Sequence, residues 1–122
     1  MINKDLVELQ KGCKSTCVII ETTDIKELDS NIVIKSDCED AQLFKTFKEK
    51  ISKADNKFDY LVIEDIDKLE KYKQNRIYQI VKDREYNGIP LPEDVIIALT
   101  VENKEGLKNI SSELYHLCVV AF

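Results

Sequence analysis

Several residue types are scarce in this sequence. Its 122 residues include no tryptophan, one histidine, three glycines and two prolines. Collagen-like and low-complexity chains are rich in glycine and proline, so these classes are excluded. No apolar run reaches the roughly 18 residues of a membrane-spanning helix, and the N-terminus lacks the apolar stretch of a signal peptide. We therefore expect a cytoplasmic protein without a membrane partner.

Arginine is also scarce. Only Arg76 and Arg84 occur among 18 basic residues, and the formal net charge is −5. Nucleic-acid binding depends on neutralising many phosphates, and arginine is the residue that binds phosphate with a planar fork. The composition therefore predicts that the protein has no nucleic-acid partner.

The four cysteines, Cys13, Cys17, Cys38 and Cys118, include no C-x-x-C pair. A zinc site built from them would lack the close pairing that is typical of such sites. Cytosolic cysteines stay reduced. We expect Cys17 and Cys118 to pack inside strands as small hydrophobic residues.

The apolar residues that are present form short, continuous runs. They lie at 16–22, 31–36, 59–64, 94–100 and 117–122. Continuous apolar character is typical of strands that are buried on both faces of a parallel sheet. Helical patterns lie outside these runs, at 3–12, 39–54, 73–86 and 104–115. The chain is short enough for one domain, so we expect 1–122 to form a single α/β domain, a three-layer sandwich with a five-stranded, mainly parallel sheet.

Only about eight residues separate the first two predicted strands. A crossover between neighbouring parallel strands needs about a dozen or more. These two strands are therefore expected either to form an antiparallel pair or not to be neighbours.

Acidic side chains follow four of the predicted strands. They are Glu21, Asp24, Asp37, Glu39, Asp40, Glu64, Asp65, Asp67, Glu102 and Glu105. Ligands of doubly wound sheets bind beyond the carboxyl ends of the strands, and carboxylates are ligands that Mg²⁺ prefers. The candidate metal ligands are Glu64, Asp65 and Asp67. We favour a solvated acidic rim without a cofactor, and Mg²⁺ is the alternative.

From residue 39 onward the sequence resembles the later part of the AAA+ nucleoside-triphosphatase core, most closely its MoxR-like and restriction-translocase branch. The segment FDYLVIEDID at 58–67 looks like the Walker B strand, and YKQNRIYQIVKDREYNG at 72–88 like the helix after it. IPLPEDVIIALTVENKEG at 89–106 looks like the turn and strand of sensor 1, and NISSELYHLCVVAF at 109–122 like the closing helix and fifth strand. The resemblance implies the strand order 5-1-4-3-2.

The phosphate-binding loop of that family has no counterpart after the first strand. A P-loop follows G-x-x-x-x-G-K-[ST] and cradles phosphate with backbone N–H groups and a lysine. After CVIIE this chain continues with TTDIKELDS, which contains no glycine. The similar stretch GCKST at 12–16 has the wrong spacing and precedes a strand, so we interpret it as a coincidence.

The other catalytic positions of the family also differ. Glu64 stands where the family has its metal-linked Asp, and Asp65 stands where it has the Glu that activates water; a misplacement of about 1 Å can cost about 100-fold in rate. Thr100 occupies the place of the sensor 1 asparagine, with Asn103 displaced. The place of the arginine finger holds His116, which we interpret as a packing or surface residue at a helix end. We also expect no helical lid.

These differences predict a degenerate AAA+-like domain with no catalytic and no nucleotide-binding residues, which acts as a protein-interaction or regulatory module. The expected partner is a protein, and a complete AAA+ ATPase is the first candidate. One alternative is a receiver-like signalling domain in which Asp65 accepts a phosphoryl group, Glu21 or Asp24 holds Mg²⁺ and Thr100 acts as the switch. Another is a metal-dependent enzyme acting on phosphate esters through the acidic strand ends.

Overall fold

A computed structural model describes residues 2–8, 10, 17–53, 58–92 and 94–122. The strands are β1 (Cys17–Glu21), β2 (Asn31–Lys35), β3 (Tyr60–Glu64), β4 (Glu85–Tyr86), β5 (Ile89–Pro90), β6 (Ile96–Val101) and β7 (Cys118–Val120). The α-helices are α1 (Lys4–Glu8), α2 (Asp40–Lys53), α3 (Lys71–Asp83) and α4 (Ser112–Tyr115). Three 3₁₀ helices span Thr22–Glu27, Ile66–Lys68 and Lys104–Asn109. None of the helices in the described ranges is long and apolar enough to cross a membrane.

The main sheet has five strands in the order β2-β3-β6-β1-β7, and every pair of neighbours is parallel. The predicted α/β class is confirmed, and the sheet is wholly rather than mainly parallel. If these five strands are numbered 1 to 5 along the chain, their order read from the β7 edge is 5-1-4-3-2, as expected. The small separate hairpin of β4 and β5 was not predicted.

The short connection from β1 to β2 is explained by this order, since β6 and β3 lie between the two strands. The chain must move about 14 Å across three strand spacings and about 17 Å back along a five-residue strand. That diagonal is about 22 Å, whereas ten extended residues reach about 33 Å. The connection therefore needs no long helix, and of the two predicted arrangements the strands are not neighbours.

The crossovers place helices on both faces of the sheet. Crossovers between parallel strands are right-handed, and the step from β1 to β2 runs across the sheet in the opposite direction to the later steps. Helices α2, α3 and α4 therefore pack on one face, which we call the helical face, through residues such as Phe47, Ile77 and Leu114. The other face, which we call the thin face, is covered by α1 and the Thr22–Glu27 helix with the loop after it, through residues such as Val7 and Leu28.

One predicted helix ends earlier than expected, and another is divided into two short helices. The helix predicted at 73–86 ends at Asp83 because Arg84 takes a left-handed backbone conformation, with its N–H donating to Ile80 O. Asn87 and Gly88, predicted to end the helix, instead form the turn of the β4–β5 hairpin with φ values of 48° and 87°. Positive φ at both central residues is the reason that Asn-Gly is favoured in tight hairpins.

The helix predicted at 104–115 is two short helices, one 3₁₀ and one α. Asn103 caps the first, because its side chain accepts from the Glu105 N–H at 3.0 Å. Ser111 caps the second and accepts from the Leu114 N–H at 3.4 Å. Serine and asparagine side chains that bond to nearby backbone favour helix ends over helix interiors, which is why one continuous helix does not form.

The N-terminal helix predicted at 3–12 is α1, Lys4–Glu8, and residues 9 and 11–12 lie outside the described residues. The stretch at 12–16 and Cys13 lie outside them as well. His116 is exposed at the end of α4, as predicted.

Candidate functional site

The carboxyl ends of β1, β3 and β6 lie next to one another at one end of the sheet. Three side chains form a hydrogen-bonded cluster there. The Thr22 hydroxyl lies 3.2 Å from Asp65 Oδ1, 3.2 Å from Thr100 Oγ1 and 3.1 Å from Val101 O. The Asp65 N–H donates to Thr100 Oγ1 at 2.9 Å. We call Thr22, Asp65 and Thr100 the tip cluster.

The available protons allow both hydroxyls and the Asp65 N–H of the tip cluster to form hydrogen bonds at the same time. A threonine hydroxyl donates one hydrogen bond and can accept two. Because Thr100 Oγ1 accepts from the Asp65 backbone, its own proton is free to go to Thr22. Thr22 then donates to the carboxylate of Asp65 or to the carbonyl of Val101. Each of the three side chains is thus hydrogen-bonded to another one, and we call the cluster closed in this sense; Thr100 is fully buried, and Thr22 and Asp65 are half-buried.

The backbone at Asp65 is left-handed, with φ 55° and ψ 46°. Aspartate tolerates this conformation better than most residues that have a side chain. It turns the chain directly from β3 into the Ile66–Lys68 helix, and the N–H of Asp65 is fixed by a buried hydroxyl. The carboxylate at this position is therefore held by the turn and the tip cluster together.

Asp67 lies beside the tip cluster and joins the loops after β3 and β6. Its Oδ2 accepts from the Glu102 N–H at 3.4 Å, and a Cβ at Gly106 would clash with its carboxylate. Gly106 therefore has to lack a side chain for the two loops to approach this closely. The other oxygen, Oδ1, is buried and accepts no hydrogen bond from any described residue.

The acidic rim that the sequence predicts is only partly a solvated one. Asp24 is buried, which corrects the expectation for this residue, and Glu64 is half-buried at the end of β3. Glu102 and Glu105 are exposed. Within the described ranges, no group of three or more Asp, Glu, His or Cys side chains is arranged to hold a metal ion. The candidates Glu64, Asp65 and Asp67 are thus close in sequence without forming such a group.

Two of the three carboxylates after β2 are paired with cations of α3. Lys73 Nζ lies 2.8 Å from Asp37 Oδ1, and Arg76 Nη1 lies 2.6 Å from Asp40 Oδ1. The hydrogen bond and charge of Lys73 hold the pKa of Asp37 below its ordinary value, and the same hydrogen bond raises the pKa of Lys73. These acids therefore have partners within the domain.

Both arginines are used to bind backbone carbonyls. Arg76 donates to Cys38 O at 3.0 Å and to Ser36 O at 2.7 Å, and its side chain is largely buried. Arg84 donates from Nη2 to Pro92 O at 2.9 Å and to Val95 O at 2.7 Å. Each guanidinium group therefore has a structural role away from the tip cluster.

Gln74 is a buried residue that the sequence analysis missed. Its Nε2 lies within hydrogen-bonding distance of Ile66 O at 3.3 Å, Leu69 O at 3.1 Å and Asn109 O at 2.7 Å. Its Oε1 accepts from the Ser111 N–H at 2.7 Å. One side chain of α3 therefore fixes the loop after β3 and the segment that leads into α4.

Thr22 was also missed, although it follows β1 at the position where the sequence lacks a P-loop. Its two side-chain partners lie 43 and 78 residues further along the chain. The only signal available in the sequence was a polar pair, Thr22-Thr23, directly after an apolar strand. Thr100 was singled out as the residue in the sensor 1 position, and it does lie in the tip cluster.

The cysteine expectations are met for Cys17 and in part for Cys118. Cys17 is fully buried in β1, and burial raises the pKa of its thiol well above the ordinary value, with Cys118 adding to the effect. Cys118, its register partner on β7, is half-buried and its thiol donates to Leu114 O at 3.1 Å. Cys17 therefore packs in the core as a small hydrophobic residue, as expected.

In comparisons with known proteins, no family model, curated protein or solved structure gives a significant match to this chain. What the tip cluster can do therefore has to be argued from its own residues.

Proposed function

We propose that this chain is a catalytically inactive, AAA+-like domain that binds a protein partner rather than a nucleotide. The observation that carries the proposal is the closed tip cluster. Doubly wound enzymes hold their ligands beyond the carboxyl ends of the strands. At that end of this sheet, the tip-cluster side chains that could contact a phosphate or a water are hydrogen-bonded to each other.

The segment after β1 supports this proposal because it is unsuited to phosphate binding. It is a six-residue 3₁₀ helix without glycine, whereas a P-loop presents several backbone N–H groups and a lysine to the phosphates. Glu21, half-buried, directly precedes this helix, and its carboxylate adds negative charge that repels a polyphosphate.

The use of the two arginines supports the absence of hydrolysis. Phosphoryl transfer requires positive charge on the transferred group, and the loss of an arginine finger alone costs roughly 10³-fold or more in rate. Arg76 and Arg84 donate to carbonyl groups of their own domain. The carboxylate of Asp65 is likewise engaged by Thr22.

The sheet order favours the AAA+-like interpretation over the receiver-like alternative. Receiver domains have the order 2-1-3-4-5, which places the first strand beside the third. In this chain β6 lies between β1 and β3, and β1 pairs with β6 and β7. The order is the one that the AAA+ resemblance implies, so we do not propose Asp65 as a phosphoacceptor.

Thermal unfolding with and without millimolar Mg-ATP tests the proposal that the domain does not bind nucleotide. A ligand that binds only the folded state stabilises it by RT ln(1 + [L]/Kd), so Tm rises with the logarithm of ligand concentration once the concentration exceeds Kd. We expect the same Tm in both conditions for the wild-type chain. A concentration-dependent rise that Glu64→Gln or Asp65→Asn abolishes would overturn this part of the proposal.

Affinity capture from the native cell tests the proposed partner. With the full chain as bait, we expect a complete AAA+ ATPase among the retained proteins. Its absence, with other proteins retained reproducibly, would contradict the choice of partner.

A further inference from the structure

The edge strand β2 borders a groove that none of the features above uses. The groove has a volume of about 520 Å³ and lies between β2 and a stripe of α2. We call it the β2 groove. Its lining residues are Val33, Lys35, Cys38, Gln42, Thr46 and Lys50.

The backbone of β2 presents hydrogen-bonding groups to this groove. Alternate residues of a strand direct their N–H and C=O groups to the same side. Val33 O accepts from the Lys50 side chain at 2.7 Å, and Lys35 O lies 3.8 Å from the Cys38 thiol, so residues 31, 33 and 35 face away from β3. These are the groups that an added strand would bind.

The groove has a positive charge although the chain is acidic. Two lysines, Lys35 and Lys50, are among its lining residues and no carboxylate is. The whole of α2 carries four lysines against two acids, whereas the chain has a net charge of −5. The charge of this edge therefore favours an acidic partner.

The two lysines flank the edge from opposite faces of the sheet. Lys50 extends from α2 on the helical face. Lys35 lies on the same side of β2 as Val33, which packs against the core of the thin face. A strand that is added beside β2 would meet one lysine on each of its faces. A carboxylate on either face of that strand, at an odd or an even position, could therefore pair with Lys35 or Lys50.

A second copy of this chain fits the edge poorly. Pairing two β2 strands around Val33 would bring the Lys50 side chains of both copies to the same place, and lysines on edge strands are a common means of preventing such pairing. A strand from another protein that carries acidic residues does not meet this repulsion.

We propose that the β2 edge binds an extended, acidic segment of a partner protein as a sixth strand of the sheet. A backbone N–H of that segment takes the place of the Lys50 ammonium at Val33 O, and the released lysine pairs with a carboxylate of the segment. This inference rests on the proposed function, since it names the surface and the chemistry by which the interaction module recognises its partner.

Titration of the ¹⁵N-labelled full chain with capped peptides tests the inference. The probe is EVTEVTE, which places acidic residues on both faces of a strand. The matched controls are KVTKVTK, which reverses the charge, and EVPEVPE, which keeps the charge and prevents strand pairing. We expect only EVTEVTE to bind, with amide shifts confined to residues 31–35 and to the 42–50 stripe of α2. Shifts centred elsewhere, equal binding of either control, or no binding at millimolar peptide would overturn the inference.

Two variants connect the binding to this edge. Reversing both charges, with Lys35→Glu and Lys50→Glu together, should weaken EVTEVTE binding about tenfold, because two exposed attractions become repulsions. Lys108→Glu changes an exposed lysine on the Lys104–Asn109 helix and should change the affinity by less than about twofold. Equal effects of the two changes would contradict the proposed site.

A third variant, Val33→Pro, removes the groove-facing N–H without breaking the pairing of β2 with β3, and it should also abolish binding. If the proline variant does not fold, the double variant Lys35→Glu and Lys50→Glu still tests whether the peptide binds at this edge. Failure of peptide binding with an unchanged Tm in Mg-ATP rejects the β2 site alone. A rise of Tm in Mg-ATP rejects the part of the proposed function that excludes nucleotide binding, whatever the peptides do.

Discussion

The two faces of the sheet are covered very differently. On the helical face, α2 and α3 supply 14- and 13-residue helices that bury a large apolar core. On the thin face, a five-residue α-helix and a six-residue 3₁₀ helix provide much of the cover. The thin face is the face to which right-handed crossovers assign the connection after β1. In the family that the sequence resembles, that connection contains the phosphate-binding loop and its helix.

The sheet does not depend on a long helix after β1. The connection crosses two strands in about ten residues, and Thr22 at its start is anchored by the tip cluster. The connection after β1 thus gives one face only short cover, while the other face has helices of 14 and 13 residues.

Truncation of one core residue on each face should give unequal losses of stability. Phe47 is fully buried and makes an edge-to-face contact with Tyr86 at 5.6 Å between ring centroids, so Phe47→Ala should cost about 4 kcal/mol. Leu28 belongs to the thinner cover, which can collapse into the space that its side chain leaves, so Leu28→Ala should cost about 2 kcal/mol. Urea denaturation measures both. Equal losses would contradict the comparison between the faces.

Removal of the buried amide of Gln74 should have the next largest effect. Gln74→Ala leaves the Ser111 N–H and several carbonyls without their partner, and we expect a loss of about 2–3 kcal/mol in the free energy of unfolding. Gln79→Ala on the exposed side of the same helix is the control and should cost less than about 0.5 kcal/mol. If the two variants unfold at the same urea concentration, the loops of the helical face do not depend on Gln74.

The anchor of the thin-face connection can be tested with two neighbouring threonines. Thr22→Val removes the hydroxyl from the tip cluster and should cost about 1 kcal/mol. Thr23→Val makes the same chemical change at an exposed position and should be close to neutral. Equal midpoints in urea for the two variants would show that the tip cluster does not hold this connection.

The surface pair of Asp37 and Lys73 should give the smallest effect and a characteristic pH dependence. The pKa of Asp37 is lower in the folded state, so the folded state gains stability from this pair above the ordinary carboxyl pKa of about 3.9. This gain is lost as the pH falls through the lowered pKa. Because the carboxylate is exposed, solvent screens the pair and the change is small.

Asp37→Asn should therefore narrow the difference in stability between pH 7 and pH 3, with no further change in the neutral range. Denaturation curves of both chains across that interval measure it. Parallel stability profiles over the whole interval would rule out a contribution from this pair.

The strands were predictable from the sequence because they are continuous apolar runs in a parallel sheet. The predicted runs at 31–36 and 59–64 match Asn31–Lys35 and Tyr60–Glu64 to within one residue at each end. The strand order came from the family resemblance, since hydrophobic pattern alone does not order strands. The β4–β5 hairpin was missed because Asn87-Gly88 is favoured both at helix ends and in hairpin turns.

The site was less predictable than the fold. The acidic residues at the strand ends were identified, but composition could not show that Asp24 is buried or that Asp37 pairs with α3. The hydrogen bonds of Thr22 join residues far apart in the sequence, and they exist only once the strand order is set. Local pattern carries no information about such contacts.

Hydrogen exchange at the Asp65 amide tests the closed tip cluster most directly. This N–H donates to the buried Thr100 hydroxyl, so we predict slow exchange, with the same rate in the presence and absence of millimolar Mg-ATP. Exchange near the rate of an unstructured amide, or a rate that Mg-ATP changes, would contradict the account that these strand ends are closed to nucleotide.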